Sequence, residues 1–154
     1  MSFKGASTLK PFSFSKLKVD KEFQPCPFAN DDEIFPNGIF EFNITQLLKF
    51  IGQNPAEFVP EKVKVDDLYT DLKKTLDEPT VASADITKPL ILAEISPGRF
   101  NVIDGNHRLE RAYRDGVKEV FAYRLKIPFH LKFLISHEGY IAFVEYWNEK
   151  VARL

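Results

Sequence analysis

The chain has 154 residues, 44% of them hydrophobic and 14% aromatic, which is enough for one buried core and too few to favour two ordinary domains. Its 21 basic and 22 acidic residues nearly cancel, so overall charge alone would not hold it on nucleic acid or on an anionic membrane. A single cysteine excludes an internal disulfide, and no segment approaches the roughly 20 apolar residues that span a bilayer, so we expect a cytoplasmic protein without a membrane span.

Residues 1–38 mix phenylalanines and prolines without the period of a helix or a strand, which predicts an irregular arm. Disordered segments are usually poor in aromatic residues, so the phenylalanines indicate that the arm docks on the core or on a partner. We expect a single domain over residues 39–154, with its core over about residues 62–127 and a helical extension over residues 128–154.

The first predicted elements follow a turn signal at residues 36–38. Residues 39–42 have the composition of a short strand. Either Asn43 or Thr45 can cap the helix that comes next. The apolar face of that helix is predicted to contain Ile44, Leu47, Leu48 and Ile51.

The middle of the chain contains strand patterns on either side of an ambiguous stretch. Polar and apolar residues alternate over 62–65, as in a half-buried strand. Residues 68–76 are expected to be helical, and the Glu78–Pro79 pair is expected to end that helix. A compact turn joins an apolar run over 89–95 to residues 99–103, which predicts a hairpin.

The last third of the chain predicts a helix, a strand and a final helix. The helix over residues 106–115 should end at Gly116 and bury Leu109, Ala112 and Tyr113. Residues 118–127 alternate as a strand, with one side formed by Phe121, Tyr123, Leu125 and Ile127. The C-terminal helix should pack on the domain or on a second copy of the chain through an apolar face formed by Tyr140, Phe143, Val144, Trp147, Val151 and Leu154. Together these elements predict an α+β fold, a small mixed β-sheet with packed helices.

The residues best suited to binding a ligand lie where the strand over 99–103 gives way to the next helix. They are Asp104, Gly105, Asn106, His107 and Arg108. The first turn of a helix presents backbone N–H groups and the positive end of the helix dipole, which attract anions. A glycine lets a ligand approach the backbone, an arginine fork matches phosphate oxygens, and a histidine can donate to a phosphate or carry a proton. This segment therefore predicts an anion site.

A purely structural role fits the same residues. Asp104 and Gly105 could form an ordinary turn, Arg108 could pair with a neighbouring acid, and His107 could be a surface or core residue. Residue types alone leave the two interpretations open.

The other histidines do not indicate a metal site. No two of the chain's histidines have the i, i+3 or i, i+4 spacing of a helical metal-binding pair. We therefore predict core or capping roles for His130 and His137, and no transition-metal site.

A longer pattern surrounds the anion-site segment: Pro89–Leu92, then Phe100–Ala112, then Gly116 and a closing strand. Over roughly residues 62–127 it resembles the ParB/sulfiredoxin superfamily, in which a strand pair leads into a Gly-x-His/Arg-Arg signature at a helix N-terminus. Nucleotide phosphates bind there in that family. The resemblance implies a ParB/sulfiredoxin-like core with phosphates bound at Gly105, Asn106, His107 and Arg108.

Departures from the family patterns narrow the chemistry that the resemblance implies. Asn106 occupies the position of the reactive cysteine of sulfiredoxins, so their redox reaction is not expected. Partition ParB proteins usually carry Gly-Glu-Arg-Arg followed by a helix-turn-helix, and neither feature is present, so a complete DNA-sliding clamp is not expected.

The Asp-Gly-x-His-Arg form is similar to free serine kinases, which pass a nucleotide phosphoryl group to a small hydroxyl substrate. This implies ATP, ADP or CTP as ligand, a magnesium ion, and catalytic roles for His107 and Asp104. Such a reaction also needs a carboxylate that orients or deprotonates the hydroxyl. Spacing does not choose among the candidates, which are Asp66, Asp67, Glu41 and Asp104.

Three functions are compatible with these observations. The first is a nucleotide-binding enzyme that hydrolyses a nucleoside triphosphate or transfers its phosphoryl group. The second is a DNA-binding or partition-accessory module, with a local basic surface formed by Arg99, Arg108, Arg111, Arg114, Arg124 and Lys126. The third is a catalytically inactive interaction protein that holds a partner, or a second copy of itself, through its arm and its C-terminal helix.

Overall fold

The computed structural model describes residues 14–70 and 76–154. Within these residues the chain forms helices and two small sheets, so the predicted α+β class is confirmed. Phe3 and Phe12 of the predicted arm lie outside the described residues, as does most of the helix predicted over residues 68–76.

A β-hairpin precedes the first helix. Strand β1 (Ile34–Asn37) pairs antiparallel with β2 (Phe40–Asn43), and α1 (Ile44–Gln53) follows directly. The Asn43 side chain caps α1 by accepting from the Gln46 N–H at 3.0 Å. Strand β1 lies inside the stretch predicted to be irregular, because its pairing partner β2 supplies a regularity that residues 34–37 do not show by themselves.

Helix α1 buries most of its predicted face. Ile44, Leu47 and Ile51 are buried, but Leu48 is 43% exposed, so its predicted burial is wrong. Leu48 follows Leu47 directly and is therefore rotated about 100° around the helix axis, which moves it off the buried face.

The larger sheet contains β3 (Glu61–Lys64), β4 (Leu90–Ser96), β5 (Arg99–Asp104) and β6 (Glu119–Leu125) in the spatial order β3–β6–β4–β5. Strand β4 pairs antiparallel with β5 and parallel with β6, whereas β3 and β6 are antiparallel. The sheet is therefore mixed, as predicted. Its strands lie where the alternation of polar and apolar residues and the hairpin turn predicted them.

Every residue of β4 is buried, because packed elements cover both faces of the sheet. Leu90 and Leu92 pack with Leu109 and Ala112 on one face. The other face belongs to the larger core cluster, which includes Ile91, Ala93, Ile95, Phe143 and Trp147.

Strand β6 keeps the predicted facing, because Leu125 is buried in the larger core cluster and Tyr123 and Ile127 pack against it, but Phe121 on the same side is not buried. Its buried residues on the side of helix α4 (Asn106–Arg114) are Val120 and Ala122, whereas Phe121 is 41% exposed. Phe121 pairs in register with Lys62 of the edge strand β3, and the Lys62 ammonium lies 5.9 Å from its ring centroid. The small side chains face the helix because α4 packs closely against the sheet there.

Tyr113 is a second correction to the predicted core. Leu109 and Ala112 of α4 are buried as expected, but Tyr113 is 47% exposed. Its ring stacks on Tyr69, with centroids 3.6 Å apart and planes within 2° of parallel. A substitution at Tyr113 would therefore disrupt a stacking contact at the surface and would not place a new side chain in the core.

Two short helices flank the gap in the described residues. Helix α2 (Val65–Leu68) follows β3, and α3 (Glu78–Ala82) precedes β4. The Glu78–Pro79 pair was predicted to end a helix and instead begins one. Proline has no N–H to donate, but an N–H in the first turn of a helix would have no partner within the helix in any case. The Asp77 side chain caps the helix by accepting from the Thr80 N–H at 3.1 Å.

The C-terminal segment forms a 3₁₀ helix (Phe129–Phe133) and then α5 (His137–Ala152). Ser136 caps α5, and the predicted apolar face is buried at Tyr140, Phe143, Val144 and Trp147. Leu154 is 76% exposed, so its predicted place on that face is wrong, because the helix ends at Ala152 before reaching it. No helix among residues 14–70 and 76–154 combines the length and apolar character needed to cross a membrane.

The described part of the arm lies along α5. Phe23 stacks on Tyr140 with ring centroids 4.0 Å apart, and the Trp147 indole N–H donates to the Ser15 carbonyl at 3.0 Å. The Asn148 side chain both accepts from and donates to the Leu17 backbone, at 2.7 and 3.0 Å. These contacts position residues 14–33 on the domain itself.

One buried histidine makes folding stability dependent on pH. His130 is fully buried and its Nε2 lies 2.8 Å from the Glu94 carbonyl, and burial lowers the pKa of His130 to about 4. Its unfolded pKa is near 6.5, so the unfolded chain binds a proton more readily. The stability from neutral His130 is present above about pH 6.5 and is lost as the pH falls toward 4.

We predict that His130→Gln flattens the pH dependence of the free energy of unfolding between about pH 6.5 and 4, where each unit of pH can cost up to about 1.4 kcal/mol in the parent protein. Urea denaturation at a series of pH values measures this dependence. Equal slopes for parent and variant would contradict the assignment, even if the substitution lowered stability at every pH.

Candidate functional site

The candidate site begins at the tight junction between β5 and α4. Gly105 has φ 105° and ψ 20°, a left-handed conformation that L side chains rarely adopt. A Cβ at this position would lie 2.5 Å from Leu90 Cδ2 and 2.9 Å from Arg108 Nη2. Glycine is therefore required both by its backbone angles and by the close approach of β4.

The first turn of α4 is not capped by any side chain of the described residues. The first helical hydrogen bond runs from the Leu109 N–H to the Gly105 carbonyl at 2.8 Å. The N–H groups of Asn106, His107 and Arg108 lie before this first hydrogen bond and have no partner within the helix, so they can donate to an anion.

Arg108 is partly engaged by the fold. Its Nη2 donates to Asp104 Oδ2 at 3.1 Å and to the Pro89 carbonyl at 3.2 Å. Its Nη1 makes no hydrogen bond within the described residues and is available to a ligand. The structural interpretation predicted a neighbouring acid as the partner of Arg108, and that acid is Asp104. The Arg108 Nε is buried and has no hydrogen-bond partner among the described residues.

His107 contacts the segment that enters α3. Its Nε2 accepts a hydrogen bond from the Asp77 N–H at 3.2 Å, which places the proton of the neutral ring on Nδ1. The predicted catalytic pair, Asp104 and His107, therefore also holds neighbouring segments in place.

Two further arginines of α4 fasten α3 to it. Arg111 donates to the Ala82 carbonyl, at the end of α3, and to Asp115 at 2.8 Å. Arg114 forms a bidentate pair with Glu78, with distances of 2.7 and 3.0 Å, and this pairing raises its pKa. The position of α3 beside the site thus depends on paired charges.

A pocket of about 500 Å³ lies in front of the first turn of α4. All five residues of the predicted anion site line it. Further ionisable groups come from other parts of the chain, and they are Glu33, Asp85 and Lys88. Counted over the described residues, the pocket thus combines three carboxylates with two permanent cations and a histidine. We call it the phosphate pocket, for the ligand that the sequence predicts.

Glu33 is a site residue that the sequence did not indicate. It lies just before β1, and the hairpin carries it to the phosphate pocket. Partial removal of water raises the pKa of Glu33, and the negative charge of Asp104 raises it further, against the opposing effects of Arg108 and His107. A carboxylate of raised pKa beside cations is the kind of group that accepts a proton in catalysis.

The other predicted carboxylates lie elsewhere. Asp67 lines a second pocket of about 480 Å³, which shares Phe35 and Asn106 with the phosphate pocket. Asp66 and Glu41 are exposed and line neither pocket. Asp104 is therefore the only one of the four in the phosphate pocket.

The arginines proposed for a basic surface are largely paired with acids. Arg108, Arg111, Arg114 and Arg124 each contact a carboxylate within 3.3 Å. Pairing reduces the positive charge that these side chains can present to a DNA backbone.

The remaining histidines lie outside the phosphate pocket. His130 is in the core, and His137 begins α5 with its ring 6.3 Å from that of Phe23. Within the described ranges, no group of three or more His, Cys, Asp or Glu side chains is arranged to hold a metal ion.

Comparisons of the chain with protein-family models, with curated proteins and with solved structures each found no match. What this structure establishes about its class is an α+β domain with a charged pocket at a helix N-terminus.

We predict that Gly105→Ala destabilises the protein more than Gly116→Ala. Both glycines have positive φ, at 105° and 73°, but only a Cβ at 105 meets a buried side chain. The backbone strain costs about 1–3 kcal/mol at either position, and the overlap with Leu90 adds to it at 105. Chemical denaturation measures both variants, and equal losses would contradict the close-approach role of Gly105.

Proposed function

We propose that the protein binds a nucleoside di- or triphosphate with its phosphates in the phosphate pocket, and transfers a phosphoryl group to a small hydroxyl substrate or to water. The observation that carries the proposal is the juxtaposition, in one pocket, of the uncapped α4 N-terminus with Lys88, Arg108 and the carboxylate of Glu33. The sequence resemblance to nucleotide-binding ParB/sulfiredoxin-like domains supports the same ligand.

The anion-binding part of the pocket is the first turn of α4. Three backbone N–H groups and the helix dipole are directed toward negative charge there. Nη1 of Arg108 and the Lys88 ammonium supply the charge-assisted hydrogen bonds. His107 can add a donor through Nδ1 while its Nε2 holds the Asp77 N–H.

The carboxylates suit the transfer step. Glu33 would accept the proton of the attacking hydroxyl as that oxygen bonds to the terminal phosphorus, and the bond from phosphorus to the bridging oxygen breaks to release the shortened nucleotide. Its raised pKa makes Glu33 a stronger base than an ordinary glutamate. Asp104 fixes Arg108 and, through its charge, sustains that raised pKa.

A magnesium ion fits this set of donors. Mg²⁺ is usually held by one or two carboxylates together with phosphate oxygens and water, so no larger protein cluster is needed. Asp104 would hold it, and the ion would offset the negative charge that phosphates bring beside these carboxylates.

The cytoplasm is the compartment that suits this proposal. Cys26 is a free, buried thiol, which is compatible with a reducing environment. Burial raises the pKa of Cys26, so the thiol stays protonated and unreactive at neutral pH.

We predict that Lys88→Ala weakens nucleotide binding about tenfold or more, because it removes a charge-assisted hydrogen bond worth about 1.5–3 kcal/mol. Isothermal titration calorimetry with ATP, ADP and CTP, each with magnesium, measures the affinity. Lys126→Ala is the matched control, since it removes the same charge from an exposed lysine outside both pockets. Equal affinities for the two variants, or no binding to the parent at millimolar nucleotide, would contradict the proposal.

We predict that Glu33→Gln lowers turnover by about 10²- to 10⁴-fold with little change in nucleotide affinity, because a general base acts only in the transfer step. In the parent protein, activity should fall as the pH drops through the raised pKa of Glu33, and the variant should lack this acidic limb. Phosphate release across a pH series measures both effects. Glu41→Gln, an exposed acid outside the phosphate pocket, should behave as the parent does. An unchanged rate for Glu33→Gln would remove Glu33 from the mechanism.

A further inference from the structure

The second pocket opens beside the phosphate pocket and meets it at the start of α4. Its volume is about 480 Å³, close to that of the phosphate pocket, and Phe35 and Asn106 line both. Asn106 is the first residue of α4. A ligand with phosphates at this helix terminus could therefore extend into either pocket.

The two pockets differ in chemistry. Among the described residues, six ionisable side chains line the phosphate pocket, whereas Asp67 is the one charged residue that lines the second. Around Asp67 the second pocket has aromatic and aliphatic surface together with Thr70, Asn101 and Asn106. Apolar walls with a few placed polar groups are typical of sites for uncharged heterocyclic ligands.

We infer that the second pocket holds the nucleoside of the bound nucleotide, with the Asp67 carboxylate accepting hydrogen bonds from the ribose hydroxyls. This inference rests on the proposed function, and it specifies the ligand as a ribonucleoside polyphosphate. The base lies against Phe35 and Phe100, with the Asn101 amide at its polar edge.

The opposite arrangement, with the nucleoside in the phosphate pocket, fits the charges less well. A neutral base there would have to displace water from three carboxylates and their basic neighbours, which is costly unless each charge regains a partner. Glu33 also lines only the phosphate pocket, so the acceptor hydroxyl belongs on that side of the phosphates.

A carboxylate at position 67 suits a diol because it can accept two hydrogen bonds. Both Asp66 and Asp67 are exposed and lie in the first turn of the short helix α2, where either carboxylate interacts favourably with the helix dipole. Only Asp67 lines the pocket. Asp66 is therefore a control with the same charge, the same helix and nearly the same position.

The test uses calorimetry on the full chain with magnesium and three ligands: ATP, its 2′,3′-dideoxy analogue and inorganic tripolyphosphate. The parent should bind ATP at least tenfold more tightly than the other two. Asp67→Asn should weaken ATP binding about tenfold and leave tripolyphosphate binding unchanged or slightly tighter, since it removes a negative charge near the phosphates. Asp66→Asn should bind ATP as the parent does.

The outcomes distinguish a failure of the nucleoside assignment from a failure of the proposed function. If tripolyphosphate and ATP bind the parent equally well, or if the two Asp→Asn variants behave alike, phosphate binding stands and the nucleoside assignment is overturned. If the parent binds none of the three ligands, the proposed function fails and the nucleoside assignment fails with it.

Discussion

The close approach of α4 to β4 is the constraint on which the candidate site depends. A Cβ at residue 105 would overlap the buried Leu90 side chain, so the chain turns from β5 into α4 through a left-handed glycine. That turn directs the first-turn N–H groups of α4 into the phosphate pocket. The same proximity lets Arg108 reach the Pro89 carbonyl, so one side chain links the start of the helix to the start of the strand beside it.

Helix α3, which forms one wall of the phosphate pocket, is held both by charge pairing and by the buried Val81 side chain. Helix α3 has only five residues, and short helices have little stability of their own. Arg111 and Arg114 attach it to α4 through a carbonyl and the Glu78 carboxylate. These pairs are largely exposed and each contributes modestly, so they act together with the burial of Val81 in positioning α3. Ionic strength should therefore affect this wall more than the core.

The parts of the molecule that could be predicted from the sequence are those whose signal is local. The hairpin β4–β5, the start of α4 and the buried face of α5 each follow from spacing within a few residues. The five residues of the predicted anion site are contiguous, so the pattern also located them in one pocket. Tyr113 was misplaced because its facing depends on which surfaces the neighbouring elements leave uncovered. Phe121 is on the predicted side of its strand but is exposed beside the edge strand β3.

Glu33 shows why the rest of the site could not be predicted in the same way. Nothing in its local sequence distinguishes it from other acids near turns, and it reaches the pocket only because the hairpin β1–β2 brings residue 33 beside Asp104. Its raised pKa is likewise a property of the assembled site, since partial desolvation and the Asp104 charge cause it. Arg108 illustrates the converse: its sequence context indicated a ligand-binding fork, and in the folded chain one terminal nitrogen is engaged by Asp104 and Pro89. The same arginine thus anchors the pocket, whereas the Lys88 ammonium makes no such structural bond among the described residues, which makes Lys88 the better residue for testing whether the pocket binds an anion.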